Sequence, residues 1–340
     1  MLARTAGERY YHRTVTVLGL GLLCFFLFLT LMSVLVSFLA ALLAALPISE
    51  VSAKVTYQLC YGALYLAAFL LPIPIMRLLA RGFGIPWQTA YTDRPVSRAL
   101  PLIVLGGITL IVAQSYLNAW LVSALDFGEL FEDMLPTSDG YTTDLDLLLT
   151  FIVLAVVPAF CEEMLFRGAI LTGLLPFGQP TAILVSALAF ALMHQNVAQF
   201  LYAFCAGLLL GALYARSGSI WNGVILHLCN NAYSLFSTAL VQRLGAERGE
   251  LAQILSDAAL FLAGLASLAI LTLRSRERDG LREGTFGRSL PPSEQYAEVR
   301  LKPDRAVRLL AASPMGIFLL SCVLTAILSA LMLLTAGVFV

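Results

Sequence analysis

The chain has 340 residues, of which 59% are hydrophobic and only 12% are charged, and its mean hydropathy is +0.86. Soluble domains carry about 25% charged residues, so this composition excludes a soluble globular protein and predicts a polytopic membrane protein. The net charge is zero, which gives no reason to expect a nucleic acid or another polyanion as a partner.

The apolar segments predict an all-α fold, a transmembrane helical bundle of about nine membrane helices. About 20 apolar residues are needed to cross a bilayer. With that length as the measure, the predicted spans are 14–46, 54–76, 100–125, 146–175, 180–196, 198–215, 220–241, 251–273 and 312–340. The first is long enough to tilt or to project from the membrane, and the two short spans 180–196 and 198–215 could be partly re-entrant.

These spans divide the chain into five predicted regions. Three membrane helices with an acidic outer loop (1–144) precede a core of four helices (145–245). An eighth membrane helix (246–275), a basic cytoplasmic linker (276–311) and a C-terminal membrane helix (312–340) follow.

Basic residues predict the orientation. Most of the 21 Lys and Arg residues flank the predicted spans on one side, whereas the loop 126–146 is acidic and has no basic residue. Because basic loops stay in the cytoplasm, we expect an integral multi-pass membrane protein with a cytoplasmic N-terminus.

The fourth predicted span is unusual because it contains Glu162, Glu163 and Arg167. Each ionisable group costs at least about 2.5–3.5 kcal/mol at the bilayer centre, so three of them predict a functional site. Glu163 and Arg167 are four residues apart and can form a structural ion pair on one helix face. Glu162 points about 100° away from that pair and stays available. Pro158 cannot donate to the carbonyl of Leu154 and is expected to kink the helix.

Three more polar residues lie in the hydrophobic segments that follow. His194 ends one apolar run, and His227 and Asn231 share a face of a later helix. Together with Glu162 they could converge inside the bundle. The alternatives are that each histidine is a packing residue and that Asn231, like Asn230, forms a hydrogen bond between helices.

Other residues of the apolar spans are assigned no chemistry. Gly207 and Gly211 have the spacing that lets membrane helices approach closely. Cys161, next to Glu162, is a weak candidate nucleophile because an apolar span disfavours the thiolate. Asp257, near the outer edge of the eighth span, is given no function.

The residue types are typical of hydrolysis. A carboxylate and an imidazole that share a water molecule form a general base, and an imidazole with a carboxamide can donate hydrogen bonds to an oxyanion. Alternatively, Glu162, His194 and His227 could hold a zinc ion with an open position for water. The residues leave both versions open.

The ordered set of motifs resembles the CPBP family, the group of intramembrane proteases that includes CAAX prenyl endopeptidases and bacteriocin-processing or immunity proteins. The motifs are Glu162-Glu163-x-x-x-Arg167, Phe190-x-x-x-His194 and His227-x-x-x-Asn231, within residues 145–240. The resemblance implies a helical membrane core with a cavity, in which Glu162 and His194 activate water and His227 and Asn231 stabilise the oxyanion. The expected substrate is a membrane-associated peptide or protein, such as a prenylated CAAX-like protein or a bacteriocin-like peptide. Both a metal-dependent and a metal-free mechanism fit the family, and we favour the metal-free one.

Two other functions fit the same residues. A non-catalytic immunity or scaffold protein would bind a peptide in the same cavity. A transporter would use Glu162 and the histidines as a proton relay, but the chain shows no inverted pair of broken helices that would favour transport.

Overall fold

A computed structural model describes residues 5–87, 95–124, 143–279 and 302–336. In these ranges the chain is helical and forms no strand, which confirms the all-α prediction. The helices are α1 (Ala6–Ala45), α2 (Glu50–Leu70), α3 (Pro72–Gly82), α4 (Leu100–Ala124), α5 (Asp144–Phe177), α6 (Gln179–Met193), α7 (Val197–Ser217), α8 (Ile220–Leu244), α9 (Ala246–Asp279), α10 (Pro303–Ala311) and α11 (Pro314–Ala336).

The described helices confirm a polytopic membrane bundle but not the number of spans. Seven are long and apolar enough to cross a membrane, and the pair α10–α11, bent by 71°, would make eight. The predicted span 180–196 corresponds to α6, which has 15 residues and is about 22 Å long at 1.5 Å per residue. Because that length is less than the hydrocarbon thickness of about 30 Å, a total of nine stays a prediction.

Helix α10 lies in the segment that was predicted to be a linker, and the sequence analysis did not predict it. The rest of that segment after Asp279 lies mainly outside the described residues, as does most of the acidic loop 126–146. The linker's role and the domain boundaries therefore stay predictions. In α10, Arg305 pairs with Glu8 of α1 at 2.7 Å, which joins the two ends of the chain.

Helix α5 carries the glutamates and departs from regular α-helical geometry on both sides of Pro158. Two π-helical stretches, Ile152–Val156 and Glu163–Leu171, interrupt it. In the wider turn before the proline, the amide of Val157 donates a hydrogen bond to the carbonyl of Ile152. The helix continues through Pro158 as one run. Such π turns are frequent at functional sites.

An aromatic cluster fixes α5 against its neighbours. Phe166 lies 6.2 Å from Phe25 of α1 and 5.4 Å from Phe190 of α6, measured between ring centroids. Phe25 in turn lies 4.7 Å from Phe69 of α2. These fully or nearly fully buried rings hold four helices around the polar part of α5.

Small residues bring α6 and α7 close together. A Cβ atom added to Gly207 would lie 3.0 Å from the Cα of Ala187, and one added to Gly211 would lie 3.3 Å from the side chain of Ile183. Close backbone approach of this kind is the expected result of small residues spaced by four. It also brings the carbonyl of Gly207 within reach of α5.

Candidate active site

Glu163 and Arg167 form a fully buried ion pair within α5. The Arg167 Nη1 atom lies 2.7 Å from the Glu163 Oε1 atom, and both side chains have 0% exposure. Arg167 also donates from Nη2 to the carbonyl of Gly207 at 3.2 Å, and its guanidinium carbon lies 4.5 Å from the centroid of the Phe190 ring. Such partners are what a charge needs when it is removed from water.

The same carboxylate also holds a histidine of the third motif. His227 Nδ1 lies 3.1 Å from Glu163 Oε1, and because a carboxylate only accepts hydrogen bonds when ionised, Nδ1 is the donor. The other oxygen, Oε2, has no hydrogen-bond partner among the described residues and would lie 2.8 Å from a Cβ atom at Gly223. Because Gly223 has no side chain, the Glu163 carboxylate can lie against its backbone.

Glu162 faces away from the ion pair. Its Oε1 atom accepts a hydrogen bond from the hydroxyl of Tyr65 in α2, and its Oε2 atom lies 3.7 Å from His227 Nε2. His227 therefore lies between the two glutamates, with one ring nitrogen towards each. The side chain of Glu162 is almost fully buried, with 5% exposure of the residue.

His194 reaches the site from the end of α6. Its Nδ1 atom lies 2.9 Å from the carbonyl oxygen of Phe190, and a carbonyl can only accept, so Nδ1 carries the proton. In the neutral ring Nε2 is then an acceptor, which is the tautomer that a general base requires. The Phe190 ring contacts both histidines edge-on, with centroid distances of 5.2 Å to His194 and 5.9 Å to His227.

Glu162 and His194 share a cavity of about 690 Å³. Tyr61 and Tyr65 of α2 also line it, together with residues of α1 and α11. Both side chains line the same space, but no direct hydrogen bond joins them among the described residues; their partners are Tyr65 and Phe190. A cavity with room for water molecules therefore adjoins both side chains.

Asn231 is placed differently from the expectation for an oxyanion donor. It does not line the cavity of Glu162 and His194, and its Nδ2 atom lies 3.5 Å from the carbonyl oxygen of Leu154 in α5. This is the carbonyl to which Pro158 cannot donate. The contact resembles the bond between helices that the sequence left open as an alternative, although it is long and therefore weak. Neighbouring Asn230 donates to the hydroxyl of Tyr202 at 2.8 Å.

Tyr65 was missed by the sequence analysis. It lies in α2, far from the motifs in sequence, and a single-sequence argument could not place it beside Glu162. A signal was present in its surroundings, because aromatic rings recur every four residues along α2. They form a ladder from Tyr57 through Tyr61 and Tyr65 to Phe69, with centroid distances of 6.3, 6.0 and 4.4 Å.

The described residues contain no group of three or more His, Cys, Asp or Glu side chains placed to hold a metal ion. Glu162 and His194 face the cavity, whereas His227 Nδ1 is engaged by Glu163. His227 Nε2 faces Glu162 at 3.7 Å, and the contact of Nδ1 with a carboxylate is also compatible with a metal-binding histidine, so the zinc and the metal-free alternatives both stay predictions. Cys161 is fully buried and lies outside the cavity lining, which gives no support to a nucleophilic cysteine.

The comparison with protein families gives one match. The model described as "Type II CAAX prenyl endopeptidase Rce1-like" matches residues 144–233, from the start of α5 into α8. Neither curated proteins nor solved structures gave a match. The matched segment contains all three motifs and supports intramembrane endopeptidase activity in general. Residues 144–233 are thus similar to type II CAAX prenyl endopeptidases of the Rce1-like family, which agrees with the resemblance of the motifs to the CPBP family.

Proposed function

We propose that the protein is an intramembrane endopeptidase in which Glu162 and His194 activate a water molecule. The observation that carries the proposal is that these two residues line one cavity while their other contacts are already fixed. Tyr65 holds one oxygen of Glu162, and Phe190 fixes the tautomer of His194. A base held in this way needs little reorganisation when the proton moves.

The reaction follows from these groups. A water molecule between Glu162 and the Nε2 atom of His194 loses a proton to one of them, and its oxygen attacks the carbonyl carbon of the scissile peptide. When the tetrahedral intermediate collapses, the carbon–nitrogen bond breaks. The proton that the base accepted then passes to the leaving amine, so that water is the only other reactant.

The oxyanion would be stabilised by His227 and Asn231. His227 lies beside Glu162, and Glu163 fixes its ring by accepting from Nδ1. Its Nε2 atom would donate to the oxyanion in the imidazolium form, in which both ring nitrogens carry a proton. Asn231 would have to release the carbonyl of Leu154, and at 3.5 Å that bond is weak enough to give up. Glu163 and Arg167 then act on the reaction only by holding His227 in place.

The proposed steps are written for the metal-free alternative, in which Glu162 and His194 alone activate the water molecule. The substrate is proposed to be a membrane-associated peptide or protein that reaches the cavity through the bilayer. A prenylated CAAX-like protein or a bacteriocin-like peptide would suit a site in which apolar walls surround a few polar groups.

The test compares protein termini in membranes of deletion cells that carry wild type or Glu162→Gln at equal expression. Mass spectrometry should find fragments or trimmed C-termini only with wild type, because the amide keeps the shape of Glu162 and cannot accept a proton. Identical profiles, with a deletion phenotype that both forms rescue, would reject proteolysis and favour a non-catalytic protein that binds a peptide in the cavity.

A further inference from the structure

Asp257 in α9 is a second buried acid within the membrane bundle. Its exposure is 5%, and its two oxygens accept hydrogen bonds from tyrosines of two other helices. The hydroxyl of Tyr116 in α4 donates to Oδ2 at 2.5 Å, and that of Tyr233 in α8 donates to Oδ1. The two hydroxyls are neutral, so they orient the carboxylate without cancelling its charge.

A cavity of about 680 Å³ lies beside this carboxylate. It shares no lining residue with the cavity of Glu162 and His194, so it is a separate site. Hydroxyl and carboxamide groups form much of its wall, including Ser115, Asn230, Ser237, Thr238 and Gln253. At about 30 Å³ per water molecule in the liquid, the volume is far larger than a single ion needs.

The charge of this cavity selects the kind of ligand. Among the described residues that line it, Asp257 is the one carboxylic acid, and there is no lysine, arginine or histidine. An anion would therefore meet an uncompensated negative charge, whereas a cation would neutralise it. A carboxylate oxygen has lone pairs beyond the one that each tyrosine uses, so a cation can bind without breaking the two hydrogen bonds.

The other lining groups favour an ammonium group over a divalent metal ion. Divalent metal ions prefer several anionic ligands, and the described residues provide no group of three candidate ligands. Three tyrosines line the cavity instead, Tyr116, Tyr202 and Tyr233. Aromatic rings attract alkylammonium groups through their faces, and the nearby hydroxyls and carboxamides can accept the N–H donors of a primary amine.

We propose that the cavity between α4, α8 and α9 binds an alkylammonium group at Asp257. The group could belong to the headgroup of an amino lipid or to a soluble amine. This proposal is independent of the proposed peptidase activity, since it concerns a different cavity and is tested by binding.

The first experiment titrates purified protein in an uncharged detergent with ethylammonium chloride, using sodium chloride at equal ionic strength as the reference. Isothermal titration and the thermal unfolding midpoint report binding. Wild type should bind ethylammonium and be stabilised by it, and Asp257→Asn should bind at least about tenfold more weakly because its attraction for the cation is lost. Glu250→Gln is the matched control, since it removes one negative charge from an exposed position of the same helix and should bind like wild type.

A second variant keeps the test valid if Asp257→Asn fails to fold. Ser237→Trp leaves the carboxylate in place and puts an indole ring into the cavity one helical turn from Tyr233, so it should also weaken ethylammonium binding. Equal binding by wild type and both variants, or no binding by wild type in any arm, would overturn the proposal.

Native mass spectrometry then distinguishes the two sources of the amine. Protein from nanodiscs that contain equal amounts of phosphatidylethanolamine and phosphatidylglycerol should retain the ethanolamine lipid if the ligand is a lipid headgroup, and Asp257→Asn should not. Binding of ethylammonium without selective retention of that lipid would assign the cavity to a soluble amine.

Discussion

The buried ion pair makes the strongest prediction about stability. In Arg167→Ala, the carboxylate of Glu163 would lose its 2.7 Å partner inside a fully buried environment. Removing one member of a buried pair costs about 3–5 kcal/mol, because the other charge is left uncompensated. The same change deletes the 3.2 Å bond to the carbonyl of Gly207 and the contact with the Phe190 ring, so we expect the upper part of that range.

Two further variants separate the lost charge from the lost volume. Arg167→Lys keeps the charge but cannot present two donors in a fixed fork, so its stability should lie between those of wild type and Arg167→Ala. A double variant, Glu163→Gln with Arg167→Met, removes both charges at similar volume and should recover much of the loss, as apolar replacements of buried pairs do.

The assay is equilibrium unfolding in mixed micelles, with the yield of folded protein as a second measurement. The control is Arg243→Ala, which breaks a pair with Asp144 at 2.9 Å whose side chains are 63% and 95% exposed. Exposed pairs contribute little, so this variant should unfold like wild type. Normal stability and yield of Arg167→Ala would refute the assignment of the pair as a structural element of the membrane core.

Three other predictions concern the candidate active site. Glu162→Ala and His194→Ala should each abolish cleavage while the circular dichroism spectrum stays that of the folded helical protein. Tyr65→Phe should lower kcat by roughly tenfold to a hundredfold with little change in KM, because a hydrogen bond to a charged group contributes about 1.5–3 kcal/mol and this one orients Glu162. Gly223→Ala should lower the thermal unfolding midpoint, because its Cβ atom would lie 2.8 Å from the Oε2 atom of Glu163.

Each of these has an outcome that would contradict it. Cleavage by either alanine variant would remove the proposed water activation. Tyr57→Phe, on the same face of α2 but outside the cavity lining, is the control for Tyr65→Phe. An equal loss in both would mean that packing of the aromatic ladder, rather than the bond to Glu162, affects the rate. An unchanged unfolding midpoint for Gly223→Ala would mean that the Glu163 carboxylate can move aside despite its two partners.

Local sequence spacing was sufficient to predict the contacts between site residues that lie on one helix. Glu163 and Arg167 are four residues apart, and that spacing brings their side chains together in the structure. His194 and Phe190 meet for the same reason. Such contacts depend on the period of the helix rather than on the tertiary fold.

Contacts between helices could not be predicted from the sequence. Spacing gave no way to tell that His227 would lie between the two glutamates, that Tyr65 of α2 would donate to Glu162, or that Asn231 would lie near the carbonyl of Leu154. Each depends on how the helices pack and rotate against one another, which a single sequence does not determine.

Two differences between the predicted and the observed secondary structure also arise from contacts that the local sequence does not determine. The π-helical stretches of α5 depend on which carbonyl each amide reaches around Pro158, and propensity alone does not distinguish this register from an α-helix. Helix α10 is short and polar, and it is held by the pair between Arg305 and Glu8. Its partner lies at the opposite end of the chain, so the local pattern resembled a solvated linker.

The most direct measurement is the rate at which purified protein in nanodiscs cleaves a substrate found by the comparison of termini, for wild type and Glu162→Gln at equal folded concentration. Wild type should cleave the substrate and Glu162→Gln should not, although both should bind it equally. The amide of glutamine preserves the shape of the cavity but cannot accept a proton from water. Equal rates would contradict the central claim that Glu162 activates water in this cavity.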